Sequence, residues 1–103
     1  MAGDIPDGLA IESLWAIEAD YASDAAERRP AVRLEHLTRI GRLMEAGTMV
    51  LAGAYADMSG SLLVVRAADE AAALAIVRDD VYARAGVWTG FRVRAIGVVS
   101  RAG

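Results

Sequence analysis

Residues 49–67 read MVLAGAYADMSGSLLVVRA. Two apolar runs, Met49 to Ala54 and Ser61 to Ala67, flank a loop of turn formers at 55–60. Apolar and β-branched residues bounded by Gly, Asp and Ser mark two strands joined as a hairpin. Both runs are apolar at alternate and at intervening positions, and a strand apolar on both sides is buried on both sides. If helices cover one face of the sheet, something else must cover the other.

Upstream, Leu34, Leu37, Ile40, Leu43 and Met44 recur every three or four residues. That spacing predicts an amphipathic helix over Pro30 to Ala46, with Pro30 in its first turn and Gly47 as its C-terminal cap. Its apolar stripe is centred on Leu34, Leu37, Ile40 and Met44, with His36 on the flank. Residues 13–21 alternate, placing Trp15, Ile17, Ala19 and Tyr21 on one side and Glu18 and Asp20 on the other, as in a strand. Residues 1–12 carry turn formers and acids and are expected to be a flexible tail, leaving one domain over 13–100. Downstream, Asp69 caps a second helix over 70–78 that ends at Asp79 and Asp80. One further turn over 81–85 closes at Gly86, and a last strand runs from Trp88 to Val99.

The order is βαββαβ: an α+β, ferredoxin-like fold whose four-stranded antiparallel sheet carries two helices on one face. The two-sided apolar strands predict a homodimer in which two bare sheet faces meet. Composition agrees. The chain has 103 residues, enough for one core of modest size, and its hydrophobic content is 55%. Soluble domains on a similar count hold about 45–50%.

The absent residue types exclude whole classes of chemistry. There is no Cys, hence no disulfide, thiolate nucleophile or iron–sulfur site. There is no Lys, hence no Schiff base and no P-loop lysine. With His36 the single histidine, one chain cannot build a zinc site from histidine and cysteine. No metal and no cofactor is expected. The net charge of −3 gives no basic face for nucleic acid, and no apolar run is long enough for a membrane span. With no signal-peptide pattern at the N-terminus, the expected location is cytoplasmic.

Few residues are left to carry chemistry. His36 is the one side chain whose ordinary pKa lies near neutrality. Arg33 lies among apolar neighbours, where an Arg is at an edge, paired or facing a ligand. Asp80 stands where the helix dipole disfavours a carboxylate, so it either caps the turn that follows or faces a cleft as a base or histidine partner. Ser61 follows Gly60 at the start of a strand, without the Gly-x-Ser-x-Gly elbow of a serine hydrolase. From spacing alone, each of these residues is equally compatible with a structural role.

Together these positions resemble the YciI-like (YCII-related) family of the dimeric α+β barrel superfamily. The family's Arg-x-x-His-Leu appears as Arg33-Leu34-Glu35-His36-Leu37, and its Gly-x-Leu…Ala-Gly as Gly41-Arg42-Leu43 to Ala46-Gly47. Gly60-Ser61 opens the next strand, and Asp80-Val81-Tyr82 precedes Ala85-Gly86-Val87. The match runs from Trp15 to Val99, with Val81 and Ala54 standing where prolines are usual. The resemblance implies a homodimer with a His36–Asp80 pair in a cleft beside the sheet. Relatives that dehydrochlorinate chloroaromatics or isomerise muconolactone imply proton transfer on a small cyclic or aromatic acid or lactone.

The expected function is thus a cofactor-free lyase or isomerase, with His36 as base, Asp80 orienting it, Arg33 on a carboxylate or oxyanion, and Ser61 adding a hydrogen bond. A small-molecule-binding dimer without turnover would use the same pocket, and a purely structural dimer would have none. The two helices are expected to run roughly parallel. Contact between His36 and Asp80 then requires the Asp80 turn to fold back, or the other subunit to supply one partner.

Overall fold

A computed structural model describes residues 4–102. The elements run β1 (Leu9–Tyr21), α1 (Ala25–Glu45), β2 (Met49–Ala54), β3 (Gly60–Val65), α2 (Glu70–Arg78), α3 (Val81–Arg84) and β4 (Trp88–Arg101). The sheet order is β2-β3-β1-β4, and every neighbouring pair is antiparallel. This is the expected α+β, ferredoxin-like arrangement, with α3 as the added turn after α2.

Register sets which residues meet. Ile17 lies opposite Leu63 on one side and Val93 on the other. With Trp15, Ala19, Tyr21 and Val65 they share the sheet face that packs on the helices. There they join Ala25 and Ile40 of α1, Ala73 and Val77 of α2, and Tyr82 of α3 in one core.

Topology also corrects the expected helix directions. β1 and β3 are antiparallel, and each is followed by a helix that runs back along the sheet, so α1 and α2 run antiparallel. The early turns of α1 and the end of α2 therefore lie at the same end of the sheet. No partner chain is needed to bring Asp80 beneath α1.

Three boundaries differ from expectation. The tail expected over 1–12 is strand from Leu9 onward, because Leu9 to Ser13 pair with Gly97 to Arg101. Residues 1–3 lie outside the described residues. α1 begins at Ala25 rather than Pro30. Pro30 falls in its second turn, where it removes only the amide that would reach the Ala26 carbonyl. β4 continues past Val99 to Arg101.

The α1 stripe is also rotated. Val32, His36, Ile40 and Leu43 face the sheet, whereas Leu34 is 81% exposed and Leu37 and Met44 are exposed as well. At 100° per residue, Ala25, Arg29, Val32, Ile40 and Leu43 all fall within about 40° of His36. The histidine marks the middle of the buried face, not its flank.

Glycine closes both helices that lead into the site. In α1, Thr48 N–H reaches the Leu43 carbonyl and Gly47 N–H the Met44 carbonyl, with Gly47 at φ 79. In α3, Val87 N–H reaches the Tyr82 carbonyl and Gly86 N–H the Ala83 carbonyl, with Gly86 at φ 75. Both are Schellman closures, which need a left-handed residue at that position. The second turns the chain sharply from Tyr82 to Trp88, and both side chains enter the site.

Candidate active site

α1 carries His36 on its buried face, and α3 carries Asp80 as its N-cap. Asp80 Oδ1 accepts the Tyr82 amide at 2.9 Å, as the cap of a one-turn helix should. The same oxygen lies 2.7 Å from His36 Nδ1, and Arg39 Nη1 donates to Oδ2 at 3.1 Å. Asp80 is completely buried and His36 is 8% exposed. Capping and pairing with histidine thus fall to one carboxylate. Burial works against ionisation of Asp80. The hydrogen bonds from His36, the Tyr82 amide and Arg39 outweigh it and hold the carboxyl below the usual carboxylate value.

An ionised carboxylate only accepts, so Nδ1 must carry the proton it receives. In the neutral imidazole this leaves Nε2 as a lone pair. No side chain of the described residues hydrogen-bonds Nε2, and His36 lines a cavity of about 150 Å³ between α1 and strands β2 and β3. The ring is locked in place. Tyr82 stacks on it with centroids 3.7 Å apart and planes 7° from parallel, and Trp88 meets it edge-on at 5.4 Å. A stacked phenol face also favours the imidazolium that would form if Nε2 took a proton.

A second relay ends in the same cavity. Trp88 Nε1, which can only donate, makes a hydrogen bond to Ser61 Oγ at 3.2 Å. Ser61 in turn donates to the Tyr21 hydroxyl at 3.1 Å. The Tyr21 proton is then the outgoing donor of the chain, and Tyr21 lines the cavity. Gly60 makes this approach possible, since a Cβ there would collide with the Ala19 carbonyl oxygen.

Arg33 and Ser61 both line the cavity, Arg33 from the exposed edge of α1 and Ser61 from β3. Ser61 has its hydrogen bonds committed within the relay. Sequence reasoning passed over Arg39, Arg29 and Tyr21. Arg39 is three residues after His36 and Arg29 seven before it, so helical spacing from His36 itself would have placed both on its side. Tyr21 was grouped with the core because its strand parity is apolar.

Comparison with known proteins agrees with this architecture. The YCII-related domain model matches residues 13–96. No curated protein matches. Among solved structures, 5-chloro-2-hydroxyhydroquinone dehydrochlorinase (TftG) from Burkholderia phenoliruptrix AC1100, in complex with 2,5-dihydroxybenzoquinone, superposes with a TM-score of 0.68. It is 20% identical to this chain, and the match covers 79% of this chain and 90% of that one, a likeness of fold. With its domain matched over most of its length, the chain belongs to the YCII-related family.

Proposed function

We propose that this YCII-related protein is a cofactor-free enzyme that moves a proton on a small cyclic or aromatic acid or lactone, with His36 Nε2 as the base. The observation that carries the proposal is the buried Asp80–His36 hydrogen bond of 2.7 Å through Nδ1, on a histidine that lines a cavity. Asp80 orients the ring and favours its charged form. A substrate C–H beside a carbonyl would give its proton to Nε2. The electron pair left behind either expels a leaving group such as chloride or shifts a double bond, with the proton returned at another carbon. The Tyr21 hydroxyl and Arg33, both in the cavity wall, would hold the oxygen on which charge develops. The dehydrochlorinase of the same fold supports a small-molecule reaction of this class.

The proposed working unit is a homodimer closed through the open sheet face. Leu14, Ala16, Val64 and Ile96 lie at positions of that parity, alternate with the helix-facing set. The test of function is a panel of chlorinated hydroquinols and unsaturated lactones, followed by chloride release or by the ultraviolet change of a moving double bond. Turnover by the wild type that His36→Ala abolishes, with the fold intact, is the expected result. A stoichiometric complex with a panel member and no turnover would favour the non-catalytic binding dimer.

A further inference from the structure

Among the described residues, Arg29 is an arginine with no acidic partner. Its Nη1 donates to Met58 Sδ at 3.1 Å, its Nε is buried with no hydrogen-bond partner, and its other polar neighbours are the phenols of Tyr82 and Tyr21, neutral groups that still hold its pKa above the usual arginine value. A thioether is a weak acceptor, a poor match for a guanidinium. The cation also lies 5.3 Å from the centre of the Tyr21 ring, at the end of the Trp88–Ser61–Tyr21 relay. Among the described residues no carboxylate lines the cavity, while Arg33 adds a second positive charge to its wall. The charge of Asp80 is already balanced by Arg39, which donates to its Oδ2.

Met58 is unusual in its own right. Its φ of 63 makes it the one non-glycine residue with positive φ among the described residues. That conformation is strained for a residue with a Cβ, and glycine adopts it freely. The loop holds it there through Met58 N–H to the Tyr55 carbonyl and Ser59 N–H to Asp57 Oδ1. The side chain so placed reaches Arg29, and Met58 is 40% exposed, so it can be moved aside.

We propose that Arg29 is the anion anchor of the cavity and Met58 its resident cap, so that ligands enter as carboxylates or phenolates whose oxygen replaces the thioether on the guanidinium. This rests on the assignment of the same cavity as the substrate site and specifies the charge of what it takes. A planar guanidinium grips a carboxylate through two N–H groups, and Nη1, released from the thioether, would form that fork together with Nη2. The anion would then sit beside the Tyr21 hydroxyl, with the ring of the ligand directed toward His36.

The experiment uses benzoate and its neutral isostere benzamide as probes, titrated into the protein and followed by calorimetry and by the Trp88 indole N–H resonance. Benzoate should bind at least about tenfold more tightly than benzamide. Arg29→Met should bring the two to near equality, Arg29→Lys should keep part of the preference, and Met58→Ala should strengthen benzoate binding several-fold. Equal binding of the two probes, binding of neither, or a preference that survives Arg29→Met would overturn the assignment. A benzoate preference without turnover on any acid would remove the catalytic assignment and leave the anion site. Turnover without the preference would do the reverse.

Discussion

His36 and Asp80 act on each other in ways that separate by measurement. His36→Ala removes the base and one partner of Asp80, but Arg39 and the Tyr82 amide remain. The variant should fold, with a loss of about 1–3 kcal/mol in chemical denaturation and no detectable turnover. Asp80→Asn keeps the shape and loses the charge. Turnover should fall about 10²-fold or more, because the tautomer is no longer fixed and the imidazolium is no longer favoured. Its stability should respond to pH in one direction. A carboxyl held below its ordinary value contributes stability that is present above that value and lost as pH falls through the folded-state value. The wild type should therefore lose stability below about pH 4 more steeply than Asp80→Asn, and equal acid slopes in urea melts would remove the pairing. Asp80 was legible as a cap from its place after a helix end. Its link to His36 came from the family resemblance alone, because 44 positions separate them and no local pattern encodes a contact across helices.

Elements were legible where local chemistry is strong and blurred where it is shared. The strands at 49–54 and 60–65, the Asp69 cap and the Gly47 and Gly86 closures all follow from residue types at fixed offsets. α1 was harder. Its apolar residues extend around two faces, and starting the helix at Pro30 hid Ala25 and Arg29, which mark the inward side. Helix direction is a property of strand pairing, and once β1 and β3 are known to be antiparallel it follows at once. One residue tests how tightly the elements meet at the site. Gly60→Ala would drive a methyl into the Ala19 carbonyl, backbone against backbone, and shift the register that holds Ser61. We expect a loss of about 2–4 kcal/mol and a weakened Trp88–Ser61–Tyr21 relay, read from the melting transition and the Trp88 indole resonance.

At the scale of the molecule, the open sheet face is mixed. Leu51 and Ile96 are exposed apolar residues on it, and Leu14 and Val64 share its parity but are buried within the single chain. Toward one end, Arg92 grips Asp20 at 2.9 and 3.1 Å, and the Tyr55 hydroxyl donates to Glu18 at 3.1 Å. That pattern fits an interface with an apolar centre and a charged margin. Register now separates two adjacent positions that the sequence left equivalent. Leu63 faces the helices opposite Ile17, and Val64 faces the open side opposite Ala16. Val64 is buried within the single chain, so the test falls on Ile96, which is on the same side and 40% exposed: Ile96→Asp should give a folded monomer in sedimentation velocity at micromolar concentration, while Leu63→Asp should fail to fold. A wild type that sediments as a monomer would end the dimer proposal and leave the cavity, built within one chain, untouched.

The central claim is that Asp80 holds the His36 proton on Nδ1 and leaves Nε2 as the base. His36 is the single histidine, so the side-chain ¹⁵N–¹H correlation spectrum contains one imidazole. In the neutral form it should show a protonated Nδ1 and a pyridine-type Nε2, and Asp80→Asn should mix the two tautomers. A neutral ring with its proton on Nε2 in the wild type would contradict the claim outright.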